Sequence, residues 1–463
     1  MTNSAQPFTP ADTISEIADF IADPVEAAIF PGHRLRWRHD RAAAEVGLAD
    51  LSDAQWISHF GRFAPLPGSL PQPLALRYHG HQFRVYNPDI GDGRGFLFAQ
   101  MRDANNRLMD LGTKGSGQTP YSRFGDGRLT LKGGVREILA TEMLEALGVE
   151  TSRTFSLIET GEQLHRGDEP SPTRSAVMVR LSHGHIRIGS FQRLATLNLA
   201  DELKRLTAYS LQHYYAEDAG HDAPARLLAH VVERTANLAA SYMAAGFVHG
   251  VLNTDNINIS GESFDYGPWR FAPTFDADFT AAYFDSAGLY SFGRQAEAIH
   301  WDVVQLAIAL SGIYEPEGLA AIIDGFAPAY HKALGEKLIW RLGVEPRGMS
   351  QDKPLIGAID AALAHSGISI DRFFFDWAGG SMRQGEYDAP VFDTLSDALQ
   401  GYRPTIDLTD AYWSRATPCT MLIDDVEAIW ASIAEADDWA LFNEQIILIR
   451  QMGAALANRC PAA

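Results

Sequence analysis

Asp255, Asn256 and Asp265 place two carboxylates and an amide oxygen within one short stretch, Gly246-Phe-Val-His-Gly-Val-Leu-Asn-Thr-Asp-Asn-Ile-Asn-Ile-Ser260 followed by Asp265-Tyr-Gly267. Hard oxygen donors of this kind suit Mg²⁺, and a carboxylate beside them can accept a proton from a hydroxyl. Upstream, Lys114 in Gly112-Thr-Lys-Gly-Ser-Gly117 offers an ammonium to a phosphate, while Arg180 and Arg187, on either side of Ser182-His-Gly-His185, offer guanidinium forks. Gly91-Asp-Gly-Arg-Gly95 would let the backbone approach a nucleotide, because glycine removes side-chain obstruction. Taken singly, each feature has a plainer reading: a turn-capping Asp or Asn, a solvated Lys or Glu, an arginine in a salt bridge, a turn between strands.

Their joint order argues against the plainer readings. A Gly-rich turn, a strand-end Lys, a helix Glu (Glu137), a His-Gly loop ending in an Asn and then Asp-x-Gly is the order of protein kinases, where the Lys grips phosphate, the Glu orients the Lys, and the Asn and Asp hold metal. His249 and Gly250 fit the loop, Asn256 the metal Asn and Asp265 the second ligand. Val251 stands where a kinase has its base. Valine accepts no proton, so ordinary phosphoryl transfer is disabled, yet Asp255 lies beside the metal Asn.

The elements that must position these residues are legible in outline. Residues 78–181 mix Gly-punctuated turns with strand-like runs such as Gly95-Phe-Leu-Phe-Ala-Gln100 and Ser175-Ala-Val-Met-Val-Arg180 around one helix, in which Val135, Ile138, Leu139, Met143 and Leu147 recur at helical spacing from about Gly134 to a stop at Gly148. From about Leu197 the chain reads as mostly helical, over 225–245, 301–313, 317–342 and 425–456. The expected fold class is therefore α+β, bilobal and protein-kinase-like, with a strand-rich N-lobe, a helical C-lobe and helical extensions. The expected divisions are an N-terminal extension (1–77), the N-lobe with its nucleotide-binding elements (78–190), the C-lobe with the catalytic and metal motifs (191–302) and a helical C-terminal region (303–463). The stretch Pro65-Leu-Pro-Gly-Ser-Leu-Pro-Gln-Pro73 reads as an extended connection before the first motifs.

Composition narrows the partners. With 58 Asp plus Glu against 38 Lys plus Arg, a formal charge of −20 opposes sequence-independent attraction to nucleic acid or an anionic membrane, so neither is expected as a partner and any bound polyanion must meet a local basic pocket. Cys419 and Cys460 are too few for a disulfide framework. An acidic N-terminus without Lys or Arg before residue 30 opposes a targeting leader, and no run is apolar enough to cross a bilayer, so a cytoplasmic location is expected.

The string Lys114-Gly-Ser-Gly-Gln-Thr-Pro-Tyr-Ser-Arg-Phe-Gly-Asp-Gly-Arg128, with Arg136-Glu137, His185-Ile-Arg187, His249-Gly-Val-Leu-Asn-Thr-Asp-Asn256 and Asp265-Tyr-Gly-Pro268, closely resembles the selenoprotein O (SelO/YdiU) family from about His79 to Asp302. The resemblance implies a pseudokinase that transfers AMP from ATP to Ser, Thr or Tyr hydroxyls of proteins, with ATP inverted so that its α-phosphate faces the acceptor. By matching motif it implies that Lys114, Arg180 and Arg187 hold the triphosphate and Glu137 positions Lys114. Gly91, Gly93, Arg94, Asp126 and Gly127 would be further ATP contacts, Asp255 the base, and Asn256 and Asp265 the ligands of Mg²⁺, or of Mn²⁺ in its place, with Asp265 also touching ATP. The acceptors would be other proteins or the protein itself. Members that keep a cysteine near their end and pair it with one soon after Asp-Tyr-Gly differ from this chain, which has Cys460 but none over 271–291.

Two other functions use the same residues: a true kinase with Asp255 as a displaced base, and a non-catalytic nucleotide-binding scaffold. His79, His81, His183 and His185 also invite a zinc reading, but no Cys or Glu pattern accompanies them, and packed or hydrogen-bonded histidines are expected.

Overall fold

The computed structural model describes residues 6–167, 169–385 and 387–459. Cys460 lies outside the described residues. Strand-forming runs of the first part assemble into one antiparallel sheet in the order Ala22–Pro24, Leu74–Leu76, Leu97–Arg102, Leu108–Lys114, Thr173–Ser182, Arg153–Leu164, Arg34–Arg38. Thr9–Ala11 adds to the Leu97–Arg102 strand and Leu129–Thr130 to Thr173–Ser182. Residues of the 1–77 segment are thus built into the sheet. They also cover its outer face: Trp56 stacks on Phe155 at 4.9 Å between ring centroids, and Phe60 and Phe63 pack on Phe98.

The inner face carries the helix Leu131–Ala146, capped by Thr130, whose Oγ1 accepts from Gly133 N at 3.1 Å. It begins three residues before the position expected from the apolar spacing, because the cap lies outside the periodic run. Gly134 then serves close packing: a Cβ there would stand 2.3 Å from Leu157 Cδ1 on the sheet. Nearly the whole helix is buried, since the sheet takes one side and the C-terminal helices Ile423–Ala436 and Ala440–Ala457 pack on another.

The second part is helical, built around the buried helix Ala223–Ala245, with Gln295–Leu310 and Phe326–Leu342 packed against it. Two expected helices are each divided in two. The 317–342 run is Pro316–Ile323 and Phe326–Leu342, broken at Asp324-Gly325, and the 425–456 run breaks at Asp437, which takes a left-handed φ of 52°. Helix Gln295–Leu310 begins six residues ahead of the expected Trp301. The fold is α+β and bilobal, with a sheet-rich lobe and a helical lobe. Between them the chain folds back as a short antiparallel pair, Phe247–Val248 with Arg270–Phe271, that brackets the loop bearing Asp255, Asn256 and Asp265. Among the described residues no helix is long and apolar enough to cross a membrane.

Candidate active site

Sheet register brings the first two cations together. Lys114 faces Met178 and Gly112 faces Arg180 across adjacent strands, so Lys114 and Arg180 rise from the same sheet face toward the Leu131–Ala146 helix. Glu137 meets them there: Lys114 Nζ donates to its Oε2 at 2.7 Å, and Arg180 Nη2 lies 3.3 Å from its Oε1. All three side chains are at most 5% exposed.

Asp265 closes the cluster from the other lobe. Its Oδ1 is 3.1 Å from Lys114 Nζ and 3.2 Å from Arg180 Nη2, and its Oδ2 is 4.0 Å from Arg187 Nη1. Burial opposes its ionisation, but Lys114, Arg180, Arg187 and Arg94 outweigh burial and hold the carboxyl well below the usual range. Asp265 adopts a left-handed φ of 62°, a conformation an aspartate keeps where its surroundings fix it. The next residue supplies the anchor: Tyr266 is buried, with its hydroxyl hydrogen-bonded to Ser263 Oγ at 2.6 Å and Thr151 Oγ1 at 2.5 Å.

Arg187 spans the lobes. Its Nη1 donates to Asp255 O at 3.0 Å and its Nη2 to Asp92 Oδ1 at 3.2 Å, while its guanidinium sits 4.3 Å over the Tyr78 ring and 4.9 Å over Phe264. The Nε groups of Arg180 and Arg187 are buried and have no hydrogen-bond partner among the described residues. Unspent donors of this kind are what an oxyanion would satisfy.

These cations open on a cavity of about 570 Å³ lined by Gly91, Gly93, Arg94, Lys114, Asp126, Gly127, Arg180, Arg187 and Asp265, which are all nine residues expected to touch the nucleotide. Gly127 turns the loop at φ 69°, and a Cβ there would strike Gly117. Asp126 is tied to Arg166, with Nη1 to Oδ2 at 2.9 Å, and so holds the cavity mouth rather than standing free in it.

Asp255 and Asn256 are not among the lining residues; they sit in the loop below, next to Arg187. Asp255 is buried, its Oδ1 has no partner among the described residues, and burial, against the pull of Arg187, raises its carboxyl to about 6. Asn256 commits Nδ2 to Val251 O at 3.0 Å, which leaves its Oδ1 without a partner among the described residues. A free amide oxygen and a carboxylate kept ionised are a donor set that fits a divalent cation.

Sequence reasoning missed Asp92, Tyr78 and Phe264. Asp92 lies inside the Gly-rich turn and is buried, accepting from Leu76 N at 3.0 Å as well as from Arg187. No local signal marked it, because neither the burial of Arg187 nor its approach to Asp92 can be read from the sequence. The four histidines do not gather: His79 meets Tyr86 Oη at 2.6 Å, His81 meets Gln192 at 2.8 Å, His183 meets Leu108 O at 2.8 Å and His185 faces Asp110 at 3.3 Å.

A strand lysine held by a helix glutamate, an Asp-Tyr-Gly aspartate facing both, and an Asn loop beneath a cation-lined cleft between two lobes define a protein-kinase-like enzyme with its base position altered. The family profile described as protein adenylyltransferase SelO matches residues 8–450. The chain belongs to that family, and is an enzyme of the nucleotidyltransferase class. Among its relatives, the protein nucleotidyltransferase YdiU of Synechocystis sp. is 41% identical, over 96% of this chain and 98% of its own. That of Synechococcus elongatus is 52% identical over 73% and 68%. A rhoptry antigen kinase domain from Toxoplasma gondii overlaps 57% of this chain and 83% of its own at 10% identity and a TM-score of 0.28, too loose a fit to add weight.

Proposed function

We propose that the chain transfers AMP from ATP to hydroxyl side chains of proteins and releases pyrophosphate. The observation that carries this reading is the convergence of Lys114, Arg180 and Arg187 on one end of the cavity, around Asp265, with valine at the kinase base position and the buried carboxylate of Asp255, whose Oδ1 has no partner among the described residues, close by. Three cations suit a triphosphate held as a leaving group, because negative charge builds on departing pyrophosphate.

In this reading Lys114, positioned by Glu137, and the two arginines bind and orient the phosphates, with the unspent Nε donors supplying further hydrogen bonds. Gly91, Gly93, Arg94, Asp126 and Gly127 shape the rest of the nucleotide site. Asp255 takes the proton of the attacking hydroxyl, and a carboxyl near 6 is largely ionised at neutral pH yet basic enough to serve. Asn256 and Asp265 would hold Mg²⁺ or Mn²⁺, which when bound neutralises phosphate charge. The acceptors are other proteins or the protein itself. The lobe divisions given above belong to the same reading, with strands of 1–77 completing the N-lobe sheet, as does a cytoplasmic location, which the acidic N-terminal segment without Lys or Arg supports.

Intact-mass spectrometry after incubation with MgATP and candidate acceptors tests it: an adduct of about 329 Da is expected for AMP, whereas one of roughly 80 Da would mean phosphoryl transfer.

A further inference from the structure

Two segments outside the nucleotide cavity are fastened to the loop that carries Asp255. One is the hairpin Gly80–Gln82 with Val85–Asn87: His81 N donates to Thr254 Oγ1 at 2.7 Å, and Phe83 N donates to Asn253 Oδ1 at 3.0 Å. Gly80 lies so near that a Cβ would stand 3.1 Å from Asp255 Oδ1. The other is the 276–290 segment: Tyr290 Oη donates to the same Asn253 Oδ1 at 2.7 Å, and a Cβ on Gly250 would meet Ala281 Cβ at 3.0 Å. Asn253 therefore joins both segments two residues ahead of the proposed base.

At the hairpin tip Phe83 and Arg84 hold φ of 52° and 62°. Positive φ at both central residues is what a two-residue hairpin loop between Gln82 and Val85 requires, and without glycine or asparagine there the turn leans on its neighbours. Arg84 is enforced by Trp301, 5.5 Å beneath its guanidinium, and by Glu297 at 2.9 Å. Phe83 is enforced by Tyr290 and Phe284, at 5.1 and 5.9 Å between centroids.

This platform presents apolar groups to solvent. Tyr283 is 87% exposed, Val85 70% and Phe284 48%. Tyr283 and Phe284 meet at 5.1 Å between ring centroids and Phe284 rests on Phe83 of the hairpin, whose next residue but one is Val85, so exposed apolar groups stand together on a surface fastened to the Asp255 loop. Upstream in the same segment, Asp276 and Asp278 are exposed and have no cationic partner among the described residues.

We propose that Val85, Tyr283 and Phe284 form the docking surface for the acceptor polypeptide, an extended segment of another protein whose hydroxyl residue is flanked by a bulky apolar side chain and by Lys or Arg. This rests on the transfer reading above and names its substrate class. Asp276 and Asp278 supply the charge complement to the basic residue. A second copy of this chain fits the face poorly, since each copy carries a formal charge of −20.

The test uses the full-length protein, ATP labelled at the α-phosphorus with Mg²⁺, and a positional-scanning library of synthetic peptides with a central Ser, Thr or Tyr. Transfer should favour peptides with an apolar residue near the acceptor and Lys or Arg beyond it. Replacing Tyr283→Ser and Phe284→Ser together should raise KM for the favoured peptides about tenfold, abolish the apolar preference and leave MgATP affinity unchanged. Equal transfer to all peptides, or an unchanged KM in the double variant, would overturn the docking surface alone. A dimer in sedimentation that the double variant dissolves would assign the face to a second copy and overturn it too. If MgATP binds but neither the peptides nor the protein itself gain α-label, the transfer reading fails and this surface with it, whereas α-label on the protein with none on any peptide overturns the docking surface alone.

Discussion

The Lys114 ammonium and the Glu137 carboxylate meet at 2.7 Å, joining a strand to a helix across a boundary where neither side chain has water to fall back on. A buried ion pair broken on one side strands the other charge, so each partner depends on the other for its function. Lys114→Ala and Glu137→Gln are each expected to lower kcat/KM by roughly 10²-fold, with the double variant little worse than either single one. Steady-state kinetics of the three variants checks this; additive losses would mean that the residues act separately.

The same helix is braced on its far side. Glu142 accepts two bonds from Arg450, both at 2.8 Å, and lies 3.1 Å from His39 Nε2. Burial opposes ionisation, but Arg450 and His39 outweigh it and lower the Glu142 carboxyl from 4.5 to about 2. A depressed carboxyl stabilises the fold above its unfolded value of 4.5 and loses that contribution as pH falls toward 2. The contribution is on the order of 3 kcal/mol. Urea unfolding of the wild type should show this loss across that window, and Glu142→Gln should be less stable at neutral pH and lack this part of the acid sensitivity. Identical pH profiles would contradict the assignment.

Asp265 serves two kinds of partner in this account, the three cations now around it and a divalent ion. Asp265→Ala should erase the Mg²⁺-dependent increment of ATP affinity, while metal-free affinity holds or rises because Lys114, Arg180 and Arg187 lose their internal anion. Asn256→Ala should erase the increment without the rise. Calorimetric titration with and without Mg²⁺ distinguishes them, and an undiminished increment in both variants would remove these residues from the metal site.

What could be read from the sequence was the part carried by local order. Lys114, Glu137 and Asp265 sit in short strings whose residue types and order single them out, and they meet. Asp92 was hidden because a single aspartate between glycines reads as a turn, and only the fold brings Arg187 to it. Tyr78 and Phe264 were hidden for the same reason, since stacking on a guanidinium leaves no local pattern. Helix ends were displaced where caps fall outside the apolar period, as at Thr130. Breaks at Asp324-Gly325 and Asp437 were missed because the apolar spacing continues through them. The role of 1–77 as part of the sheet depends on pairings between residues far apart in the chain, such as Leu157 with Trp37, which periodicity does not reveal.

The central claim is that the α-phosphorus is attacked, with Asp255 as the base. The most direct measurement compares label transferred to protein from ATP carrying the label at the α- or the γ-phosphorus, in wild type and in Asp255→Ala. The account predicts α-label on protein and none from γ-labelled ATP, with transfer reduced by about 10²-fold or more in Asp255→Ala while ATP still binds. Protein label from γ-labelled but not α-labelled ATP would contradict it and establish a kinase with a displaced base.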